Sequence, residues 1–512
     1  MPRKSISFRK NVITLFCAAF CVACTSPKKR TAEQLYGSYC ASCHLAPSIE
    51  DLPKAIWEKE ILPDMAARMG IREPGYDPLE GKSFREQEVI LKTGIYPHTP
   101  IISLEDWALL KNYVLSLAPD SLRKNPQFIA TSELSQFAPK PISLDSDQGA
   151  LITCLKYDES KRSVMIGDIS GNLMHYSFIT EEKEHLAKFG NALSDYTNTG
   201  TLSVITAIGH LNPSDISSGR IFVAEDQDTI GLSQIFHRPV HTLAHDFDKN
   251  GTMELVVSEF GNLTGKLSLL YKGDSLTYQK KSLLTVPGTI RVLAEDMDAD
   301  GKDDLIVLTA QGDEGISILY QEDDLQFNPV KVIQLSPLYG ISWFEMIDYD
   351  GDGDQDIVIA NGDNADKSYV HKPYHGMRIF INDGQNNFEE KYFYALNGAT
   401  RVVAGDFDDD GDFDFGLLST FPDYNKPEFS FVYLENKNAE QYSFVPHTFE
   451  ASTHGRWLLM DAADVDEDGD TDILLSSFTY AFTPVPEHMS KLWKEKNIDI
   501  MFLENKLKTQ SQ

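Results

Sequence analysis

Cys40, Cys43 and His44 stand together in the run Cys-Ala-Ser-Cys-His. Two thiols with two residues between them, followed at once by an imidazole, form the attachment motif of c-type haem. The thiols add to the two vinyl groups, and the histidine supplies the proximal iron ligand. The rivals are a thioredoxin-like or a zinc C-x-x-C. Cys17, Cys21 and Cys24 belong to the N-terminal leader, no second cysteine pair follows it, and the adjoining histidine fits neither. Three residues compete for the sixth iron position. Met65 and Met69 lie in "ILPDMAARMG", and His98 lies in "GIYPHTPIIS". Met65 is preferred, because the proline turn before it can aim a side chain back at the iron. Met69 and His98 stay open.

A second chemistry repeats five times. The pattern is D-x-D-x-[DN]-G-x-x-[DE], and its first acids are Asp246, Asp296, Asp348, Asp406 and Asp464, separated by 50, 52, 58 and 58 residues. Acids at positions one, three and five can curl around one hard cation, and glycine at six permits the sharp turn. Position seven offers a carbonyl, and the acid at nine closes the shell. This is oxygen-rich calcium chemistry, and magnesium rarely accepts an all-protein shell. The expected ligands are Asp246, Asp248, Asn250 and Glu254 in the first loop, and Asp296, Asp298, Asp300 and Asp304 in the second. The third has Asp348, Asp350, Asp352 and Asp356, and the fourth Asp406, Asp408, Asp410 and Asp414. The last has Asp464, Asp466, Asp468 and Asp472. About five Ca²⁺ ions would be held.

Five residues before each first acid stand His241, Arg291, Trp343, Arg401 and Leu459, with Arg456 and Trp457 close to the last. Equivalent positions on inner strands would face a common axis. His241, Arg291, Trp343, Arg401 and Arg456 are therefore candidates for a pocket that takes an anionic or sugar-like ligand. The plainer reading has them paired with neighbouring acids. The insertion 361–376 carries His371 and His375, but Pro373 between them argues against a helical metal pair.

Each acidic loop is flanked by apolar runs, which makes a strand, a turn and a strand. Two degenerate copies, "ITCLKYDESKRSVMIGDISGNLMHY" and "VITAIGHLNPSDISSGRIFVAE", precede the five. Units of this size close radially into a β-propeller, expected over 148–508 with seven blades, six and eight staying open because the first two copies are degenerate. The loops resemble FG-GAP/VCBS repeats of the integrin-α type. Around the thiol motif, "AEQLYGSY" predicts a short helix. "SLEDWALLKNYVLSLAP" predicts a longer one capped by Ser103. This all-α segment, 35–120, resembles a class I cytochrome c. Residues 121–147, with their prolines, serines and aspartates, read as a linker. The whole layout resembles a family of bacterial exported cytochrome c–propeller fusions. That resemblance implies haem, calcium and electron transfer, and names no substrate.

Residues 1–23 form a basic and then apolar leader, too short to span a bilayer. Its small residues before Cys24 resemble a lipobox, which implies lipidation of Cys24, a tether over 24–34 and a lipid anchor. The localisation expected is the periplasmic side of the outer membrane, with the cell surface as the other leaflet. Cys154 stands alone in an apolar strand and reads as a buried small hydrophobe. The 512 residues carry a net charge of −31, with 42% hydrophobic residues. That charge excludes nucleic acid as a main partner, since phosphate binding needs a basic footprint. No nucleophile elbow, P-loop or dinucleotide fingerprint is present. Three functions remain: an electron carrier whose propeller docks a redox partner protein or small-molecule ligand; a haem-linked dehydrogenase of a sugar or similar substrate; and a calcium propeller that binds glycan or protein. The carrier needs least beyond the motifs.

Overall fold

The computed structural model describes residues 29–123, 132–146, 149–225, 228–272, 277–363, 369–480 and 482–508. The leader 1–23, Cys24 and the first part of the tether lie outside the described residues. No helix among the described residues is long and apolar enough to cross a membrane.

The strands form a seven-bladed β-propeller. Blades one to six run over 152–188, 193–231, 239–284, 289–334, 341–395 and 399–448, each an antiparallel four-stranded sheet in sequence order. In blade six a short fifth strand, Ser132–Glu133, adds in parallel to the outer edge. The innermost strand of each blade touches that of the next, and that of the seventh touches that of the first. The ring is therefore closed, which removes long sheet edges. Both faces of a blade pack on neighbours, so the second strands lose the in–out alternation. Glu254–Glu259, Asp304–Thr309, Asp356–Asn361, Asp414–Ser419 and Asp472–Ser477 are buried at every position. Their continuous apolar runs follow from this two-sided burial. The core lies between blades: Val358, Ile379 and Met377 of blade five pack with Val402, Phe415 and Leu417 of blade six. Cys154 is buried among Met165, Leu173 and Leu193, as its sequence context predicts.

Blade seven differs. Its innermost, second and third strands are Trp457–Ala463, Asp472–Ser477 and Ile500–Asn505, and its outermost is Phe137–Ile142. Phe137 pairs with Asn505 and Ile142 with Ile500. The stretch 121–147 is thus not a linker throughout. Its prolines, Pro139 and Pro141, sit on an outer edge strand, where a missing N–H can face away from the ladder. Phe137 is buried against Phe407 and Tyr433, with ring centroids 5.7 and 5.4 Å away. The propeller accordingly begins before residue 148.

The N-terminal residues form a small helical unit. Its helices are α1 (Ala32–Tyr39), α2 (Lys54–Ile56), α3 (Leu62–Arg68), α4 (Phe84–Thr93) and α5 (Leu104–Leu117). Thr31 and Gln34 close a capping box at α1, and Ser103 Oγ accepts the Asp106 N–H at α5. Leu35, Trp57, Leu62, Met69, Leu110 and Val114 form one core. A last helix, α6 (Glu487–Lys496), lies within blade seven and buries Met489 and Trp493.

The unit rests on the propeller. Tyr374 Oη donates to Asp51 O at 2.9 Å, the Asp215 N–H donates to Glu86 Oε1 at 3.4 Å, and Leu338 packs into the helical core. Residue 374 lies between the second and third strands of blade five, and 215 occupies the same connection in blade two. Both are on the face where the innermost strands begin. Blades two and five are nearly opposite in a ring of seven, so the unit spans the axis on that face.

Candidate functional site

The acidic loops lie on the opposite face, where the innermost strands end. Those strands stop at His245, Glu295, Ile347, Gly405 and Ala463, one residue before each first acid. The ninth-position acid opens the second strand in all five blades. Position four is left-handed in each loop: Lys249 φ 57°, Ala299 59°, Gly351 73°, Asp409 60° and Glu467 64°. Position six is left-handed too, with φ from 84° at Gly251 to 97° at Gly353 and Gly469. A Cβ at these position-six glycines would meet nothing within 4 Å, so φ alone demands glycine. The first acid receives the turn. Asp246 accepts the N–H groups of Asn250 and Gly251 at 3.0 and 2.9 Å, and Asp406 those of Asp410 and Gly411 at 3.0 Å.

This geometry gathers carboxylates. One oxygen each from Asp246, Asp248 and Glu254 lie within 4.8 Å of one another, and likewise from Asp296, Asp298 and Asp300. The same holds for Asp348, Asp350 and Asp356, for Asp406, Asp408 and Asp410, and for Asp464, Asp466 and Asp472. The remaining expected ligands, Asn250, Asp304, Asp352, Asp414 and Asp468, lie on the same loops. The ninth-position acids also brace the loops, Asp356 and Asp472 of the clusters as much as Asp304 and Asp414. Asp304 accepts the N–H groups of Met297 and Gln321 at 3.0 and 2.7 Å. Asp414 accepts Tyr433 Oη at 2.6 Å and the Asn436 N–H at 2.7 Å.

Oxygens without partners are the telling feature. Oδ1 of Asp348, Asp408, Asp464 and Asp466 is buried with no hydrogen-bond donor. So is Oδ1 of Asp354, Asp412 and Asp470, the seventh-position residues of the last three loops. These three aspartates were not anticipated from sequence, where position seven supplied only a carbonyl. The signal was present, because they continue the odd-numbered alternation of the acids. Burial and acid crowding push the Glu254 carboxyl up to about 7, Asp414 to about 7 and Asp472 to about 8. A hard divalent cation is the group that such an oxygen set fits.

Residues 296–359 match the family model of the FG-GAP-like repeat. The matched stretch spans the second and third acidic loops, from the first acid of one to the second strand after the other. A search of curated proteins finds no match to the chain.

On the helical unit, Cys40 is the C-cap of α1, with Cys43 and His44 in the turn beyond it. Cys40 is half-buried, Cys43 exposed and His44 half-buried, and both thiols are free. His44 Nδ1 lies 2.8 Å from Leu45 O. A carbonyl only accepts, so Nδ1 is the donor, and in the neutral ring the lone pair is on Nε2. A redox dithiol needs a low-pKa thiolate at a helix N-terminus. Here the pair follows a C-terminus, and burial pushes the Cys40 thiol up to about 12. Met69 is 6% exposed inside the helical core, Met65 borders that core, and His98 is exposed. Leu45, Phe84, Leu91, Ile101, Leu104, Leu109 and Leu117 leave apolar surface uncovered on this unit. The exposed apolar residues are spread over α4, α5 and two loops, and the two free thiols and the imidazole on one turn are the donors that a covalently held haem would use.

The inner strands treat the pocket candidates differently. Each innermost strand has a bulge near its start, at residues 153, 194, 240, 290, 342, 400 and 458. His241, Arg291, Trp343, Arg401 and Leu459 follow the bulge in their blades, so they share one level of the ring with Cys154 and Asp195. Arg291 makes a bidentate pair with Glu345 at 2.8 and 3.0 Å, and Trp343 Nε1 donates to the same carboxylate at 2.7 Å. Arg456 does not join them. It donates to Tyr480 O at 2.9 Å and Thr483 Oγ1 at 2.6 Å and lies 3.9 Å over the Phe482 ring. Its counterpart Arg238 likewise bonds the carbonyls of Gly261 and Leu211, so this position holds loops together. His371 and His375 do not converge either: His371 is exposed and His375 is 1% exposed.

Proposed function

We propose that the protein is an exported c-type haem lipoprotein that transfers single electrons, with an FG-GAP β-propeller held by about five Ca²⁺ ions. The propeller docks a redox partner or ligand. In this reading Cys24 is lipidated after removal of 1–23, 24–34 is the tether and 35–120 the haem unit. The observation that carries it is the Cys40–Cys43–His44 turn, with Nδ1 committed to Leu45 O and Nε2 left for iron. Haem, when bound, supplies a one-electron couple. The chain's own part is to hold the porphyrin by Cys40 and Cys43, orient His44, and offer Met65 as the second axial group. The unpartnered loop oxygens support calcium in the same way, through Asp348, Asp408, Asp464 and Asp466 in the first two odd positions. The test is the visible spectrum of the purified protein. Haem that stays with the chain on denaturation, and that one-electron donors reduce, is expected. Reduction by an added sugar would make the protein a dehydrogenase instead.

A second reading follows from the FG-GAP match: a calcium propeller that binds glycan or protein, with the helical unit in a supporting role. Loss of haem from the purified chain, with calcium-dependent binding intact, would favour it.

A further inference from the structure

We propose that the mouth of the central channel binds a small carboxylate monoanion on the guanidinium of Arg401. The proposal rests on the channel alone and stands whether or not haem or calcium is bound. Arg401 is the third residue of its innermost strand, near the face where that strand begins, and keeps surface open to solvent. Its hydrogen bond within the protein goes to Thr400 O at 2.8 Å, and among the described residues no carboxylate comes within ion-pair distance of it. The neighbouring channel cations are paired. Arg291 is taken up by Glu345, and Lys156 pairs with Asp461 at 3.1 Å. Asp195 accepts the Thr242 N–H at 2.8 Å, and His241 Nδ1 is buried without a partner. Arg401 is held off Arg291 by the Trp343 indole, whose ring centroid is 4.5 Å from one guanidinium carbon and 4.0 Å from the other. The indole is itself fixed by Glu345, so the free fork is held in place before any ligand arrives.

The chemistry of the ligand follows from that inventory. Burial with Arg291 nearby lowers the affinity of Arg401 for its proton, and a bound anion would reverse that cost. The free fork is planar, which suits a two-oxygen planar group better than a lone point charge. Among the channel cations Arg401 is the one without an ion pair, and the carboxylates of Asp363 and Glu345 act on it from longer range, so a dianion would be repelled. The helical unit crosses the axis on the same face, where the innermost strands begin. A polymer chain entering along the axis from that side would meet it.

The test uses the full-length protein in calcium, titrated with acetate at ionic strength held constant with chloride, and read by Tm and by tryptophan fluorescence. A saturable rise in Tm and a saturable fluorescence change are expected, because Trp343 borders the bound group. Arg401→Gln is expected to weaken the apparent affinity tenfold or more. Arg401→Lys keeps the charge but not the fork, and is expected to fall between. Titration with sulfate is expected to give a weaker response than acetate. The proposal is overturned if acetate gives no saturable response, if Arg401→Gln responds like the parent, or if sulfate binds more tightly than acetate. Should Arg401→Gln fail to fold, the Arg401→Lys series decides alone: equal affinity to the parent overturns it.

Discussion

In the proposed haem unit, one hydrogen bond would choose which nitrogen of His44 coordinates. With Nδ1 donating to Leu45 O, Nε2 is the nitrogen left to coordinate, and the ring cannot swap roles without losing that bond. Replacing Cys43 or His44 by alanine is expected to abolish stable haem retention, checked by haem staining of the denatured chain. The two methionines separate by burial. Met65→Ala should lower the haem reduction potential with little loss of stability, because its side chain only borders the core. Met69→Ala should instead cost about 2–5 kcal/mol in denaturant unfolding, as a core truncation. The opposite pattern would exchange their roles. Asp499 reports on pH. It accepts the Leu144 N–H at 2.7 Å beside the closing strand, and burial raises its carboxyl to about 6. A raised acid pKa means that the folded state holds a proton which the unfolded chain has released. Its contribution is therefore most favourable at pH below about 4 and is lost as pH rises through about 6. Asp499→Asn should flatten this slope, gaining up to about 3 kcal/mol on the parent between pH 4 and 7 in unfolding titrations. An unchanged slope would show that the carboxyl does not titrate in that window.

At the scale of elements, the strand Phe137–Ile142 decides whether the ring stays shut. Phe137 is 1% exposed between blades six and seven. Phe137→Ala is expected to cost about 3–5 kcal/mol in urea unfolding, well above a surface change. This strand was also the element least legible in the sequence. Two prolines in six residues look like a linker, and its pairing partner lies far along the chain: Gln136 and Asn505 touch across 369 residues. No local pattern carries such a pairing. The acidic loops were legible because their chemistry and their turn coincide in nine residues, with glycine where φ is positive. The degenerate first two blades were legible by rhythm alone. Arg456 was misplaced because its sequence position cannot reveal that loop carbonyls, not the axis, take its guanidinium. The bulge in every inner strand was equally hidden, since it inserts no distinctive residue type. In the helical unit the two end helices could be read from caps and apolar stripes, whereas the irregular 49–61 segment between them could not.

For the whole molecule, seven blades share one closed ring, and five of them carry crowded acids on one face. With calcium at a hundred times its Kd, each site would add about 2.7 kcal/mol of stability by mass action. Excess chelator is therefore expected to lower the propeller's Tm by more than 10 °C, on the order of several sites lost together, as read by calorimetry. An unchanged transition would remove structural calcium from the account. In the proposed reading the melting of the helical unit would be followed separately, in the absorption band of the bound haem. The closing strand has one more consequence, which concerns time. The chain is made from its N-terminus, so Phe137–Ile142 exists long before Ile500–Asn505 does. Through all that interval it is an orphaned edge that other chains could capture. Pro139 and Pro141 silence one side of it, so the residues that look like a break in the sequence also act as its guard until the last strand arrives.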